Sequence, residues 1–334
     1  MSQPIRILIL LLISSIPFTG AMMAQENRSQ SGAAFKEYIR KANQHIEDSN
    51  FSDSLMNKYA GNYFQYYLDN TGSEVARDAG WRSFSLWSQT GNVEEIENSL
   101  SQLNTDAELW STILLYVKIG YENSGQDFYG LLQDLEDKLT HPRSQSGVFF
   151  HLGREYLSRN DKDKATQYFR KVVNLNAHPF YIDQALSDLY EIESLNIGDM
   201  APIFNAQTVF GDSLSLSDYR GKIVLLEFWA TWCGPCLPEI PHLKSIQSEH
   251  SKNDLQIIGI SLDNDAKKLK DFLNENDIKW PQIQQPKEWD DGITNLYNVS
   301  GIPRTYIIGR DMKIVAKDLR GEELQKEITK LLNQ

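Results

Sequence analysis

Cys233 and Cys236 are the only cysteines of this 334-residue chain, and they stand in the sequence Trp-Cys-Gly-Pro-Cys. An apolar run over residues 222–230 comes directly before them and is typical of a buried strand. A strand that delivers a Cys-x-x-Cys pair to the start of a helix suits thiol–disulfide exchange, because unpaired N–H groups at a helix start favour a thiolate. The alternative is a structural disulfide or half of a zinc site, but zinc would need two more ligands and the six histidines show no paired spacing. The pattern therefore predicts a redox-active dithiol and no metal site.

The charge balance and the length limit what else the chain does. Lysine and arginine total 33 against 45 aspartates and glutamates, which gives a formal charge of −12. An acidic balance argues against nucleic acid or an anionic membrane surface as a partner. The length is too great for one typical domain, so two domains are expected.

A secretory signal is predicted over residues 1–24. Arg6 precedes an apolar stretch, residues 7–16, and the segment Gly20-Ala-Met-Met-Ala24 follows. An uncleaved anchor is the alternative, although the stretch is short for a membrane span of roughly 20 residues. No cysteine stands at the cleavage point, so a lipid anchor is not expected. The sequence thus predicts export, to the periplasm in a bacterium.

Residues 25–195 are predicted to form an all-α domain of helical hairpins. Apolar and aromatic residues recur there at three- and four-residue spacing, without strand-like alternation. The clearest unit has an aromatic, a leucine, a glycine and a tyrosine on a first helix, an alanine and a phenylalanine on a second, and a closing proline. These are Phe149, Leu152, Gly153, Tyr156, Ala165, Phe169 and Pro179. The unit resembles a tetratricopeptide repeat, with Gly153 small where two helices must approach closely. The resemblance implies a possible protein partner for this domain.

Residues 196–334 change to alternating strands and helices, which indicates an α/β domain. The segment from Trp229 to Cys236 resembles the active-site segment of thioredoxins. The continuation Leu237-Pro-Glu-Ile-Pro-His-Leu243 and the lead-in over residues 212–222 narrow the resemblance to the exported TlpA/ResA-like branch. The resemblance runs from about residue 197 to the end and implies a thioredoxin fold, a thiol–disulfide oxidoreductase activity and no cofactor beyond the two cysteines.

The motif residues have distinct expected roles. Cys233 should be the attacking thiol, and Cys236, one helical turn on, should close the disulfide that releases the substrate. Pro235 fits the first helical turn, since its missing N–H costs nothing there. A helix is expected from Cys236. Gly234 leaves room for a partner backbone, and Trp232 is expected to shield the sulfurs on one side.

Two acidic residues are further candidates. Glu227 lies in the predicted strand, which is apolar on both faces, and a buried strand should not carry an unpaired carboxylate without reason. It stands six residues before Cys233, where thioredoxins place a buried acid that moves protons for the second cysteine. Glu239 shares a helix face with Cys236, at a position where ResA-like proteins carry a glutamate that tunes the cysteines. The alternatives are a lysine-paired carboxylate for Glu227 and an ordinary first-turn acid for Glu239.

Ile302 and Pro303 precede a further predicted strand. Thioredoxin-like proteins have a cis-proline at this place that faces the disulfide, and the residue before it pairs through its backbone with an extended substrate. The resemblance therefore predicts a cis bond before Pro303.

Four functions stay open on these residues. The first is an exported reductant of protein disulfides, which the Gly-Pro dipeptide favours and which would need electrons from a membrane protein. The second is a disulfide oxidase or isomerase with the same site. A thiol peroxidase is disfavoured, because Leu226 and Ala230 stand where that family needs proline and threonine. The fourth is a helical module that recruits a partner, with a secondary redox role.

Overall fold

A computed structural model describes residues 32–251, 253–285 and 292–334. The chain divides into two compact units, residues 1–186 and residues 187–334. The predicted signal segment, residues 1–24, lies outside the described residues. Across the residues that are described, none of the helices has both the length and the apolar character that crossing a membrane requires.

The first unit is helical, as the spacing predicts. Within the described residues before position 195, nine α-helices follow one another. They are α1 Gly32–Asp48, α2 Asp53–Asp69, α3 Glu74–Thr90, α4 Val93–Leu100, α5 Trp110–Ser124, α6 Phe128–Glu136, α7 Pro142–Ser158, α8 Lys162–Leu175 and α9 Pro179–Ser194. Polar side chains cap several of them: Ser73, Asn92, Asp127 and Asp161 each accept a hydrogen bond from a backbone N–H in the first turn of the following helix.

The α7–α8 hairpin packs as its sequence predicts. Leu152 of α7 and Ala165, Phe169 and Val172 of α8 are fully buried. A Cβ atom added at Gly153 would lie 2.5 Å from a ring carbon of Phe169, so only glycine fits this contact without a shift. The repeat identity of the hairpin stays a prediction.

The second unit is a thioredoxin-like α/β domain with a mixed sheet. The five strands lie in the order β5-β4-β3-β6-β7. Strands β3, β4 and β5 are parallel, and β6 pairs antiparallel with both of its neighbours, β3 and β7. A separate hairpin, β1 with β2, precedes the sheet. The elements are β1 Asn205–Gln207, β2 Ser213–Ser215, β3 Ile223–Trp229, α10 Glu239–Glu249, β4 Leu255–Ser261, α11 Ala266–Glu275, β5 Gln282–Gln284, α12 Gly292–Leu296, β6 Arg304–Ile308, β7 Ile314–Lys317 and α13 Gly321–Leu332.

Strand β3 is the centre of this domain, and all seven of its residues are buried. Alternate side chains point to opposite faces of the sheet. Leu225 and Trp229 pack in one apolar cluster, with residues of α10, α11 and α13, and this cluster also holds both cysteines. Leu226 and Phe228 pack in the cluster of the other face. The strand therefore carries its carboxyl end, and the cysteines that follow, on a fixed support.

The units divide within α9, whereas the sequence places the domain boundary between residues 195 and 196. The second half of α9 belongs to the C-terminal unit. There the Ser187 hydroxyl donates to Oδ1 of Asn298 (2.7 Å) and the Tyr190 hydroxyl donates to the carbonyl of Leu296 (3.0 Å). These partners lie more than 100 residues away in sequence, so helical periodicity alone gives no sign of them.

The α-helix after the cysteines begins later than expected. A single 3₁₀ turn, Gly234–Cys236, comes first, and α10 starts at Glu239 rather than at Cys236. Pro238 and Pro241 have no backbone N–H, so the bonds to the carbonyls four residues before them are absent. Pro235 sits in the 3₁₀ turn, at the kind of first-turn position expected for it.

Candidate functional site

The two cysteines lie at the carboxyl end of β3 and are joined by a disulfide, with their Cα atoms 5.3 Å apart. The N–H of Cys236 donates to the carbonyl of Cys233 at 3.0 Å, which closes the 3₁₀ turn. Cys233 keeps 5% of its surface exposed and Cys236 none. Access from solvent is therefore greater for Cys233, the residue expected to attack.

The surface around the disulfide is apolar and open. Trp232 is 60% exposed, and its shielding of the sulfurs on one side stays a prediction. Leu237 is also exposed. A Cβ atom at Gly234 would find no heavy atom within 4 Å, which leaves space there as predicted. An exposed aromatic ring next to free space is a surface on which an extended chain can dock.

A buried aspartate fixes the loop between β3 and the cysteines. Asp263 accepts hydrogen bonds from the N–H of Thr231 (3.0 Å) and from its hydroxyl (2.5 Å). The Ser261 hydroxyl donates to the same carboxylate at 2.7 Å. Sequence reasoning missed Asp263, although a signal existed: it follows β4, and the carboxyl ends of the parallel strands β3 and β4 meet at one edge.

Glu227 lies in the middle of β3 with 3% of its surface exposed. Residues two apart on a strand point to the same face of the sheet, so Glu227 shares the face of Leu225 and Trp229. It therefore faces the cluster that holds Cys236. Burial, with a smaller contribution from the negative charge of Glu239, raises the pKa of Glu227 to about 8. The indole of Trp280 acts in the opposite direction. The predicted burial and raised pKa are confirmed, while the proton-transfer role stays a prediction.

Trp280 is a second residue that sequence reasoning missed. Its side chain is 3% exposed and belongs to the cluster of the cysteines. Its indole N–H has no hydrogen-bond partner of good geometry among the described residues. A buried N–H near a carboxyl group stabilises the charged carboxylate. Trp280 therefore lowers the pKa of Glu227 and partly offsets the rise that burial causes.

Glu239 is the first residue of α10 and links this helix to α13. Its carboxylate accepts a hydrogen bond from the N–H of Gly321 at 2.8 Å, at the start of α13. That position combines an unpaired backbone N–H with the positive end of the helix. Glu239 therefore has a structural partner as well as an electrostatic effect on Glu227.

The bond between Ile302 and Pro303 is cis, as predicted. Ile302 packs against the apolar cluster that contains both cysteines. The carbonyl of Pro303 accepts a hydrogen bond from Arg320 at 2.8 Å. The structure thus brings Cys233, Cys236 and the Pro303 loop together, with Glu227 facing the same cluster.

Comparisons with known proteins agree with this site. A sequence profile of the AhpC/TSA family matches residues 197–317. The thiol-disulfide oxidoreductase ResA of Bacillus thuringiensis is 29% identical over 42% of this chain and 80% of its own. The thioredoxin-like protein YneN of Bacillus subtilis is 36% identical over 41% of this chain and 78% of its own.

Among solved structures, the thioredoxin domain of a thiol-disulfide oxidoreductase from Bacteroides vulgatus is 31% identical. The match covers 42% of this chain and 100% of the Bacteroides vulgatus domain, with a TM-score of 0.39. These alignments span about two fifths of the chain. Through that part, which contains the Cys233–Cys236 disulfide, the chain belongs to the ResA-like thiol–disulfide oxidoreductases of the thioredoxin fold.

Proposed function

We propose that this enzyme is exported and reduces disulfides of protein substrates through the Cys233–Cys236 couple. The observation that carries the proposal is the buried Glu227, which faces the cluster of the cysteines and has a pKa of about 8. A group whose pKa lies near the working pH can both take and return a proton. Export rests on the apolar segment over residues 7–16.

The reaction has two thiol–disulfide exchanges. The Cys233 thiolate attacks one sulfur of the substrate disulfide, which forms a mixed disulfide and releases the first substrate sulfur as a thiolate that takes up a proton. The Cys236 thiol then loses its proton and attacks Sγ of Cys233, which releases the second substrate sulfur. Two electrons pass to the substrate, and the enzyme is left with the Cys233–Cys236 disulfide seen in the structure.

Glu227 serves the second exchange. Cys236 is fully buried, so its thiol cannot pass a proton directly to solvent. The Glu227 carboxylate takes that proton, and burial of the carboxyl group makes the transfer favourable because the neutral acid is the preferred form. Glu239 assists through its charge, which raises the proton affinity of Glu227.

The substrate chain docks across Trp232, Gly234 and the Pro303 loop. Trp232 and the space at Gly234 receive side chains and backbone next to the reacting sulfur. The backbone of Ile302 pairs with the extended substrate, as the thioredoxin resemblance implies. A membrane protein returns the electrons, because an exported enzyme is separated from the cytosolic systems that keep thiols reduced.

The helical unit selects or positions the partner. The α7–α8 hairpin, with Gly153 against Phe169, supports a tetratricopeptide-like character, and such repeats present extended surfaces to other proteins. A partner-binding function with a secondary redox role would leave partner binding and phenotype intact in Cys233→Ser. Loss of the phenotype in that variant supports the redox function as primary.

A redox titration of the couple tests the proposed direction. A reductant should have a potential close to that of thioredoxin, about −270 mV, whereas an oxidase of the DsbA type lies near about −120 mV. The full-length enzyme should also reduce insulin with dithiothreitol as donor, and Cys233→Ser should not. A potential near the oxidase value would overturn the proposed direction, and oxidation of a reduced substrate peptide would then identify an oxidase.

A further inference from the structure

Arg304, the residue directly after Pro303, is held at several points. Its guanidinium donates to Oε1 of Glu191 at 2.8 Å and to the Tyr306 hydroxyl at 3.1 and 2.9 Å. The Oδ1 atom of Asp318 lies 3.8 Å from Nε of Arg304. The Arg304 side chain is only 19% exposed. The rigid guanidinium fork thus fixes the direction in which the chain leaves the Pro303 loop.

Glu191 belongs to the second half of α9, within the C-terminal unit. Besides Arg304 it binds the ammonium group of Lys317 and accepts a hydrogen bond from Asn298 at 3.2 Å. Lys317 also donates to the carbonyl of Leu195 at 2.7 Å, at the end of the same helix. With 22% of its side chain exposed, Glu191 is largely withdrawn from water and has two cationic partners.

The other end of the Pro303 loop is held from α13. Arg320 donates to the Pro303 carbonyl, and the next residue, Gly321, donates its N–H to Glu239. The loop is therefore fixed on one side through α13 to the helix that follows the cysteines. On the other side Glu191 fixes it to α9.

We propose that Glu191 and Arg304 are positioning residues, which hold the Pro303 loop in the conformation that binds substrate. The second half of α9, which carries Glu191, thus contributes to substrate binding by the redox domain. The inference rests on the proposed docking of substrate along the Pro303 loop. A loop that is already ordered loses less conformational freedom when an extended chain pairs with it, so its affinity for that chain is higher. We call these contacts of Glu191 and Arg304 the clamp on the Pro303 loop. Neither residue contacts the sulfurs, so the clamp acts on substrate binding and leaves the reduction potential of the Cys233–Cys236 couple unchanged.

A role in stability alone explains the arrangement less well. Partly buried ion pairs are weak contributors to stability, because desolvation of the two charges offsets their attraction. Here one carboxylate gathers two cations and an amide next to the loop, and Arg304 also engages the Tyr306 hydroxyl, which donates in turn to the carbonyl of Tyr297 at 2.7 Å. Such a network determines a conformation more than it adds stability.

The test uses the full-length enzyme with the variants Glu191→Gln, Glu191→Asp and Arg304→Lys. The matched control is Glu327→Gln, which removes an ion pair to Lys330 on the outer face of α13. Two substrates are compared: insulin, whose chain can pair with the loop, with dithiothreitol as donor, and the small aromatic disulfide dithiobis(nitrobenzoate), which cannot pair with it. The small disulfide is given to pre-reduced enzyme from which dithiothreitol has been removed, because the donor would reduce it directly. Thermal unfolding and the reduction potential are measured alongside.

Glu191→Gln and Arg304→Lys should raise KM for insulin roughly three- to tenfold, a change of the size that one ordinary hydrogen bond contributes. The rate with the small disulfide and the potential should stay unchanged, and Glu191→Asp should recover part of the loss. An unchanged KM, or an equal loss with both substrates, overturns the clamp. Wild-type enzyme that fails with insulin would count against the proposed function instead.

Amide exchange decides the positioning role independently of turnover. Peptides that cover residues 299–304 should exchange faster in Glu191→Gln than in wild type and in Glu327→Gln. Equal exchange in all three proteins would show that Glu191 does not order the loop, whatever the enzyme assays give. Arg304→Lys provides the same measurement if Glu191→Gln fails to fold.

Discussion

Glu227→Gln should change how the stability of the C-terminal domain depends on pH. In the folded domain burial raises the pKa of Glu227 from its ordinary value of 4.5 to about 8. Between these two values the folded protein holds a proton that the unfolded chain releases. The stability that the neutral carboxyl group contributes therefore falls as pH rises through this window, and above pH 8 this contribution is absent. Glutamine stays neutral at every pH, so the variant lacks this loss.

The magnitude follows from the width of the window. Each pH unit corresponds to about 1.4 kcal/mol, so a change in pKa from 4.5 to about 8 amounts to about 3–5 kcal/mol. Below pH 4.5 both side chains are neutral and the difference in free energy of unfolding between the two proteins should be constant. At pH 8 this difference in free energy of unfolding should have shifted by about 3–5 kcal/mol in favour of the variant. A domain typically has about 5–15 kcal/mol of stability in total, so the shift is readily measured.

Urea titrations of the oxidised full-length proteins at several pH values from 4.5 to 8.5 measure this shift. Pulsed amide exchange of peptides that cover β3 assigns the transition to the C-terminal domain. The comparison between wild type and variant removes every pH effect that the two share, including those of the helical unit. Glu322→Gln, at an exposed glutamate of α13, serves as control. Parallel curves of stability against pH for wild type and Glu227→Gln would show that the carboxyl group is not buried in the neutral form. They would also refute the proposed role of Glu227 as the base for Cys236.

Three further predictions follow from the same structure. Iodoacetamide should label Cys233 alone of the two cysteines in the reduced protein near neutral pH, since the second thiol is fully buried; equal labelling by mass spectrometry would contradict the assigned roles. Glu239→Gln should lower the pKa of Glu227, because a repelling charge is removed, and the stability curve should move to lower pH; an unmoved curve refutes the coupling. Gly153→Ala should destabilise the helical unit by about 1–3 kcal/mol through overlap with a ring, whereas Gly61→Ala, with open space, should be neutral or stabilising; equal melting temperatures would contradict the packing.

The central strand and its chemistry could be read from the sequence because the signals are local. An apolar run ending in a Cys-x-x-Cys motif defines both the strand and the redox pair. Glu227 stands out because a carboxylate interrupts a run that is apolar on both faces, and the structure buries it as that pattern requires. The thioredoxin resemblance supplied the cis bond before Pro303, which no local spacing would give.

The contacts that position the site could not be read in this way. Arg304 and Glu191 are 113 residues apart, and either could equally have been a solvated charge on its own element. The change in composition and pattern near residue 196 predicts a domain boundary after residue 195. Helix α9 instead contributes its second half to the C-terminal unit through ion pairs and hydrogen bonds that leave no periodic pattern. The late start of α10 did have a signal, in the prolines that follow the motif.

The chemistry of this enzyme is local in sequence, whereas its positioning is distributed over the whole C-terminal domain. The cysteines and the strand before them lie within 14 residues, from position 223 to 236. The three segments around them are each fixed by a side chain from another element: the loop after β3 by Asp263, the Pro303 carbonyl by Arg320, and the start of α13 by Glu239. Each of these contacts satisfies a backbone group that the fold withdraws from water, so each determines a position at little energetic cost. Variation in rate and substrate choice between related enzymes can therefore arise at these residues while the cysteine motif stays the same.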